Sequence, residues 1–101
     1  MNNKPNVGLK YDDDKLLMSL VEPEFIEDVA KVLTFGAKKY KANSWQHVED
    51  CERRYKDALL RHTMSYLKGD LIDAESGLTH LSHMATNIMF LSYFEKRKYE
   101  N

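Results

Sequence analysis

Residues 23–40, PEFIEDVAKVLTFGAKKY, decide how the rest of the chain is read. Apolar side chains recur at Ile26, Val29, Ala30, Leu33, Ala37 and Tyr40, the spacing of one helix face and not the alternation of a strand. Pro23 suits a first helical position, where its missing N–H would have had no partner. Glu22, Glu24, Glu27 and Asp28 crowd the start, and Lys38, Lys39 and Lys41 the end, and both placements suit the helix dipole. Gly36 interrupts the pattern at about 1 kcal/mol relative to alanine. A close approach by another backbone or a ligand, or a bend, would justify it.

Outward from this helix the same period returns twice. Residues 50–68 form a second helix, with Tyr55, Ala58, Leu59, His62, Tyr66 and Leu67 on one face and Gly69 as its stop. Residues 75–97 form a third, with Leu78, Leu81, Ala85, Ile88, Met89 and Ser92 inward. A connector spans 41–49, and 70–77 is an acidic turn. Residues 1–21, with Pro5, Gly8 and the run Asp12-Asp13-Asp14, read as an extended arm, and the acidic run reads as a solvated turn. Leu16, Leu17, Met18, Leu20 and Val21 are expected to dock this arm on the body. No strand pattern and no internal repeat appears. The expected fold is all-α: a small bundle of three main helices over residues 22–101 with an N-terminal arm, completed by oligomerisation. The third helix is the expected interface, because Met84, Met89, Phe90, Tyr93 and Phe94 make it apolar nearly all round.

Composition narrows the function classes. A chain of 101 residues makes one domain, and 43% hydrophobic with 31% charged residues is an ordinary globular balance. A net charge of −1 argues against binding polymeric nucleic acid. It leaves room for a site for one nucleotide, which needs only a few placed cations. Cys51 stands alone, so no internal disulfide is possible. No apolar run is long enough for a membrane span, and the polar N-terminus lacks a signal peptide. These features place the chain in the cytosol.

The informative positions are polar residues on otherwise apolar faces. His62 lies in line with Tyr55, Leu59 and Tyr66. His80, His83 and Asn87, spaced i, i+3, i+7, share one stripe. Such a histidine pair binds a metal or a phosphate, or simply faces water. Glu24 and Glu27, one turn apart, have the ExxE spacing that holds Mg2+ or Mn2+, although acids at a helix start also serve the dipole. Asp70, Asp73 and Glu75 add carboxylates before the third helix, where Asp73, Glu75 or Ser76 would also serve as caps. Phosphate candidates are Lys38, Lys39, Arg53, Arg54 and Arg61. Trp45 and Tyr40 offer rings for a base, or Trp45 covers the core near the connector.

These residues carry a resemblance. Lys10-Tyr11-Asp12-Asp13, the run from Val29 to Tyr40, Asn43, Trp45, Ala58-Leu59-Leu60-Arg61-His62, Gly69, Asp73, Glu75-Ser76-Gly77 and His80-Leu81-Ser82-His83 resemble a phage family of N-terminal domains of dATP/dGTP diphosphohydrolase. The likeness extends from Lys10 to Leu91. It implies a helical nucleotide-binding domain acting on purine deoxynucleoside triphosphates in the cytoplasm of a bacterial host. The family is similar to the all-α MazG-like pyrophosphohydrolases, whose metal site is ExxE followed by ExxD. Glu24 and Glu27 supply the first half here. The second is absent: His80, His83 and Asn87 stand on the third helix instead. No His-Asp dipeptide occurs either.

Two functions follow as expectations. The first is hydrolysis of dATP or dGTP to the monophosphate and pyrophosphate. Mg2+ or Mn2+ would sit on Glu24, Glu27 and Asp73, and His62, His80 and His83 would act as catalytic groups. Lys38, Lys39, Tyr40, Asn43, Trp45, Arg61 and Asn87 would bind the ligand. The alternative is a non-catalytic binder that sequesters a nucleotide-derived bacterial immune signal with the same residues. The expected partners are the nucleotide and further copies of the chain in a homo-oligomer.

Overall fold

The computed structural model describes residues 14–100 of the chain. Pro5, Gly8 and residues 10–13 of the expected arm lie outside the described residues. The elements are a short 3-10 turn at Met18–Leu20, helix α1 at Pro23–Lys39, a second 3-10 turn at Ser44–His47, α2 at Cys51–Leu67 and α3 at His80–Glu100. The fold is all-α, as the periodicity predicts. An antiparallel bridge between Ile72 and Thr79 is the β pairing found among the described residues.

Local chemistry accounts for each boundary. Glu22 caps α1: its carboxylate accepts the N–H groups of Glu24 at 2.7 Å and Phe25 at 3.1 Å. Pro23 takes the first helical position. Helix α2 ends in a Schellman motif. Gly69, at φ 91°, donates its N–H to Tyr66 O, and Asp70 donates to Ser65 O. The third helix starts later than its pattern predicts, at His80 and not at 75. Gly77 at φ 73° breaks the helical path, and Thr79 Oγ1 accepts the Ser82 N–H at 3.1 Å as the true cap.

The packing is reversed from expectation in one respect. Helix α3 packs against α1 and α2, but its inward stripe is polar. His80, Ser82, His83, Thr86 and Asn87 are buried, Thr86 to 1% exposure, and no apolar side chain among the described residues is buried. Leu81 and Ile88, expected inward, are 46% and 54% exposed. Helix α1 likewise turns Val29, Val32, Leu33 and Gly36 inward and leaves Ile26, Ala30, Ala37 and Tyr40, all expected inward, exposed. On α2, Tyr55, Ala58, Leu59 and His62 are half-buried as expected, whereas Leu67 is exposed. Leu16, Leu17, Met18, Leu20 and Val21 are exposed too, so this part of the arm does not dock on the body as expected.

Candidate functional site

The buried stripe of α3 meets α2 through three imidazoles. His62 of α2 lies face to face with His83, with ring centroids 4.4 Å apart and planes at 5°. Its Nδ1 is 2.8 Å from Nδ1 of His80. Two imidazole nitrogens this close repel through their lone pairs unless a proton or a cation lies between them. His80 Nε2 is buried without a hydrogen-bond partner. Asp70 Oδ2 approaches it to 3.4 Å, an ion-pair distance without hydrogen-bond alignment.

The connector between α2 and α3 supplies the anion. Gly77 N–H bonds Asp73 O, and Asp73 N–H bonds Leu78 O at 2.8 Å, which folds the segment back on itself. Asp73 Oδ2 accepts the Ser76 N–H at 2.9 Å. Ser76 Oγ accepts the Leu78 N–H at 3.1 Å and shares a 2.7 Å hydrogen bond with His83 Nε2. Asp73 Oδ2 is 3.8 Å from the same His83 nitrogen. One ligand atom each from His62, Asp73 and His80 lies within 4.8 Å of the others, close enough that the three could hold a metal ion.

Burial sets the protonation of this group. It pushes His62 below the usual histidine value, helped by the charge of His83 and opposed by Asp73. It pushes His83 down as well, again against Asp73. Burial alone would raise Asp73, but the hydrogen bonds of Ser76 and the nearby histidines outweigh it and hold the carboxyl below the ordinary range. His62 and His83 are therefore neutral imidazoles and Asp73 an ionised carboxylate at neutral pH, which is the protonation state metal ligands need.

A cleft of about 910 Å³ opens beside these residues. His62, Asp73, Glu75 and His83 line it together with Thr86, Asn87, Tyr55 and Phe90. His83 and Phe90 are seven residues apart on one helix, about 10 Å along the axis, so the polar group and the aromatic residues sit at different levels of α3. Trp45 stacks on Phe90 at 4.5 Å, and Tyr55 donates its hydroxyl to Trp45 O at 2.6 Å. Burial raises the Tyr55 phenol to about 12. Asn87, 7% exposed, donates Nδ2 to His83 O at 2.9 Å.

The expected site residues divide. His62, His83, Asp73, Lys39, Tyr40, Asn43, Trp45 and Asn87 line the cleft, and His80 joins the histidine group behind it. Lys39 is bound to Glu75 at 2.9 Å. Lys38 and Glu27 instead line a shallower groove beside Ser76 and Leu78. Glu24 is exposed at the start of α1, and neither glutamate joins the histidine–aspartate group. Arg61 is exposed and reaches the site through its charge on His62. Arg54 and Lys41 line the cleft. Thr86 and Phe90 also line it, outside the expected set. Their signal is in the sequence: they continue the stripe of His83 at helical spacing.

The family model described as "dATP/dGTP diphosphohydrolase, N-terminal" matches residues 5–101. A protein of Salmonella phage PMBT28 named dATP/dGTP diphosphohydrolase is 39% identical over 84 residues, which cover 83% of this chain. The match spans 28% of that relative's length. No solved structure matches the chain. The chain belongs to the family of N-terminal domains of dATP/dGTP diphosphohydrolases.

Proposed function

We propose that this chain is a nucleotide-handling domain of a phage enzyme that hydrolyses dATP or dGTP to the monophosphate and pyrophosphate in the host cytoplasm. The observation that carries this reading is the convergence of His62, Asp73 and His80 within 4.8 Å beside a cleft with an aromatic wall. The name of the phage relative supports the substrate class.

The donor chemistry fits a divalent cation. His62 Nδ1 and His80 Nδ1 face each other at 2.8 Å and would be the imidazole ligands, with Asp73 as the carboxylate of the cluster. Mg2+ prefers an all-oxygen shell, whereas imidazole ligands shift preference towards Mn2+ and later metals. Glu24 and Glu27 lie outside this set. A cation on His62, His80 and Asp73 would polarise phosphate oxygens and activate a water. Ser76 orients His83 through its hydroxyl. Neutral His83 accepts the proton as water oxygen bonds to the α-phosphorus, and the bond to the bridging oxygen breaks to release pyrophosphate. Lys39, Lys41 and Arg54 supply positive charge along the cleft.

The reading includes self-association. Leu60, Met64 and Leu67 on α2 and Leu81 and Ile88 on α3 are exposed apolar side chains, and a second copy would cover them. Retention of an intact nucleotide, such as an immune signal, is the second reading. It is favoured by a histidine–aspartate cluster that holds Asp73 and neither Glu24 nor Glu27.

The test is incubation with the four deoxynucleoside triphosphates and Mn2+ or Mg2+, followed by chromatography of the solution and of the protein-bound fraction. dAMP or dGMP with pyrophosphate supports hydrolysis. Unchanged nucleotide on the protein supports retention. Neither product nor retained nucleotide overturns both.

A further inference from the structure

Gly36 has no structural reason to be glycine. It lies inside α1, between Pro23 and Lys39, and its φ is not in the left-handed region. A Cβ built on it meets nothing within 4 Å. Neither backbone conformation nor close packing excludes a side chain. Glycine at a helix-interior position nevertheless weakens the helix relative to alanine. The space in front of Gly36 is the cleft, which it lines with Val32 and Leu33 of the same helix.

The chemistry of that wall favours one kind of group over another. Gly36 O accepts the Tyr40 N–H at 2.8 Å, and its own N–H is used within the helix. The position offers no charge and no free polar group, and Val32 and Leu33 are apolar. A phosphate gains nothing there. A flat heteroaromatic ring gains dispersion contact with bare backbone, at a distance that a Cβ would prevent. Of the phosphate-compatible groups on the cleft wall, Lys39 lies one turn along α1 but is paired with Glu75 at 2.9 Å, and Arg54 and the histidine–aspartate group come from α2, the connector and α3.

We propose that Gly36 is the base-contacting position of the cleft: the purine lies flat against the backbone of α1 in the space a side chain would fill. The inference rests on the nucleotide reading above and adds where the base sits and which residue makes room for it.

The test uses Gly36→Ala and Gly36→Leu in the full chain. Calorimetric titration with α,β-methylene-dATP, which resists cleavage, and with inorganic tripolyphosphate, both with Mn2+, separates base from phosphate. Gly36→Ala should raise Tm by about 4–8 °C, the shift that helix propensity implies in a domain this small. Gly36→Leu should weaken α,β-methylene-dATP about tenfold to a hundredfold, the affinity equivalent of overpacking, and leave tripolyphosphate unchanged. A lower Tm for Gly36→Ala would mean that the position is packed, and would overturn the inference. Wild-type affinity for α,β-methylene-dATP in Gly36→Leu would overturn it while the nucleotide reading stands. Equal loss of both ligands would move the base away from Gly36. A wild-type chain that binds neither ligand would overturn the inference and the nucleotide reading together.

Discussion

His62 and His83 stack in parallel at 4.4 Å and join α2 to α3 at the candidate site. Two neutral imidazoles tolerate this contact, whereas two imidazolium ions repel each other. The stack therefore ties stability to pH. Both rings have folded-state values below the ordinary 6.5, with burial as the largest cause. The unfolded chain takes up these protons first, so their contribution is full above about pH 6.5 and is lost as the pH falls towards the folded values. Asp73, held below 3.8, acts in a lower window and loses its contribution only as the pH falls through its own folded value. The metal-free chain should melt at a lower temperature near pH 5.5 than near pH 7.5, as followed by circular dichroism. A flat profile across that range would contradict the structure.

Ser76→Ala removes the acceptor for the Leu78 N–H and the partner of His83 Nε2 at once. Leaving part-buried polar groups unpaired should cost about 1–3 kcal/mol, read as a lower urea midpoint at constant m-value. An unchanged midpoint would show that water replaces the hydroxyl in both contacts.

Metal binding is tested directly by titrating Mn2+ into the chain. If His62 and His80 hold the ion as proposed, His62→Ala and His80→Ala should each weaken it by about tenfold or more, a loss at least as large as the usual outer-shell effect. EDTA should abolish nucleotide turnover in the wild-type chain. Hydrolysis that continues in EDTA would remove the metal from the reading.

Trp45→Ala should act on both fold and ligand. The ring is stacked on Phe90 and edge-on to Tyr93 at 4.9 Å, so truncation should cost about 3 kcal/mol of stability. Stacking on a base would add about 1–3 kcal/mol of lost affinity. Full affinity in a destabilised variant would leave Trp45 with packing alone.

Assembly is checked by light scattering. The wild-type chain should run at a multiple of 11.8 kDa, and Leu81→Asp with Ile88→Lys should reduce it to a monomer without loss of helix. A wild-type monomer at micromolar concentration would defeat the expectation.

The sequence by itself determined the helices. Period, caps and the glycine stop at Gly69 are local properties, and α1 and α2 begin and end close to where those signals place them. It also determined that His80, His83 and Asn87 share a stripe, because helical spacing makes them neighbours whatever surrounds the helix. Orientation was another matter. A helix with apolar residues on several sides has no single inward face in its pattern, so the rotation that buries His80 and Thr86 and exposes Leu81 and Ile88 was set only by packing against α1 and α2. The membership of the site was likewise tertiary. Asp73 reaches His62 and His83 because the folded connector turns its carboxylate back between α2 and α3, while Glu24 and Glu27, whose spacing reads as a metal motif, lie on the N-terminal half of α1 and outside that cluster.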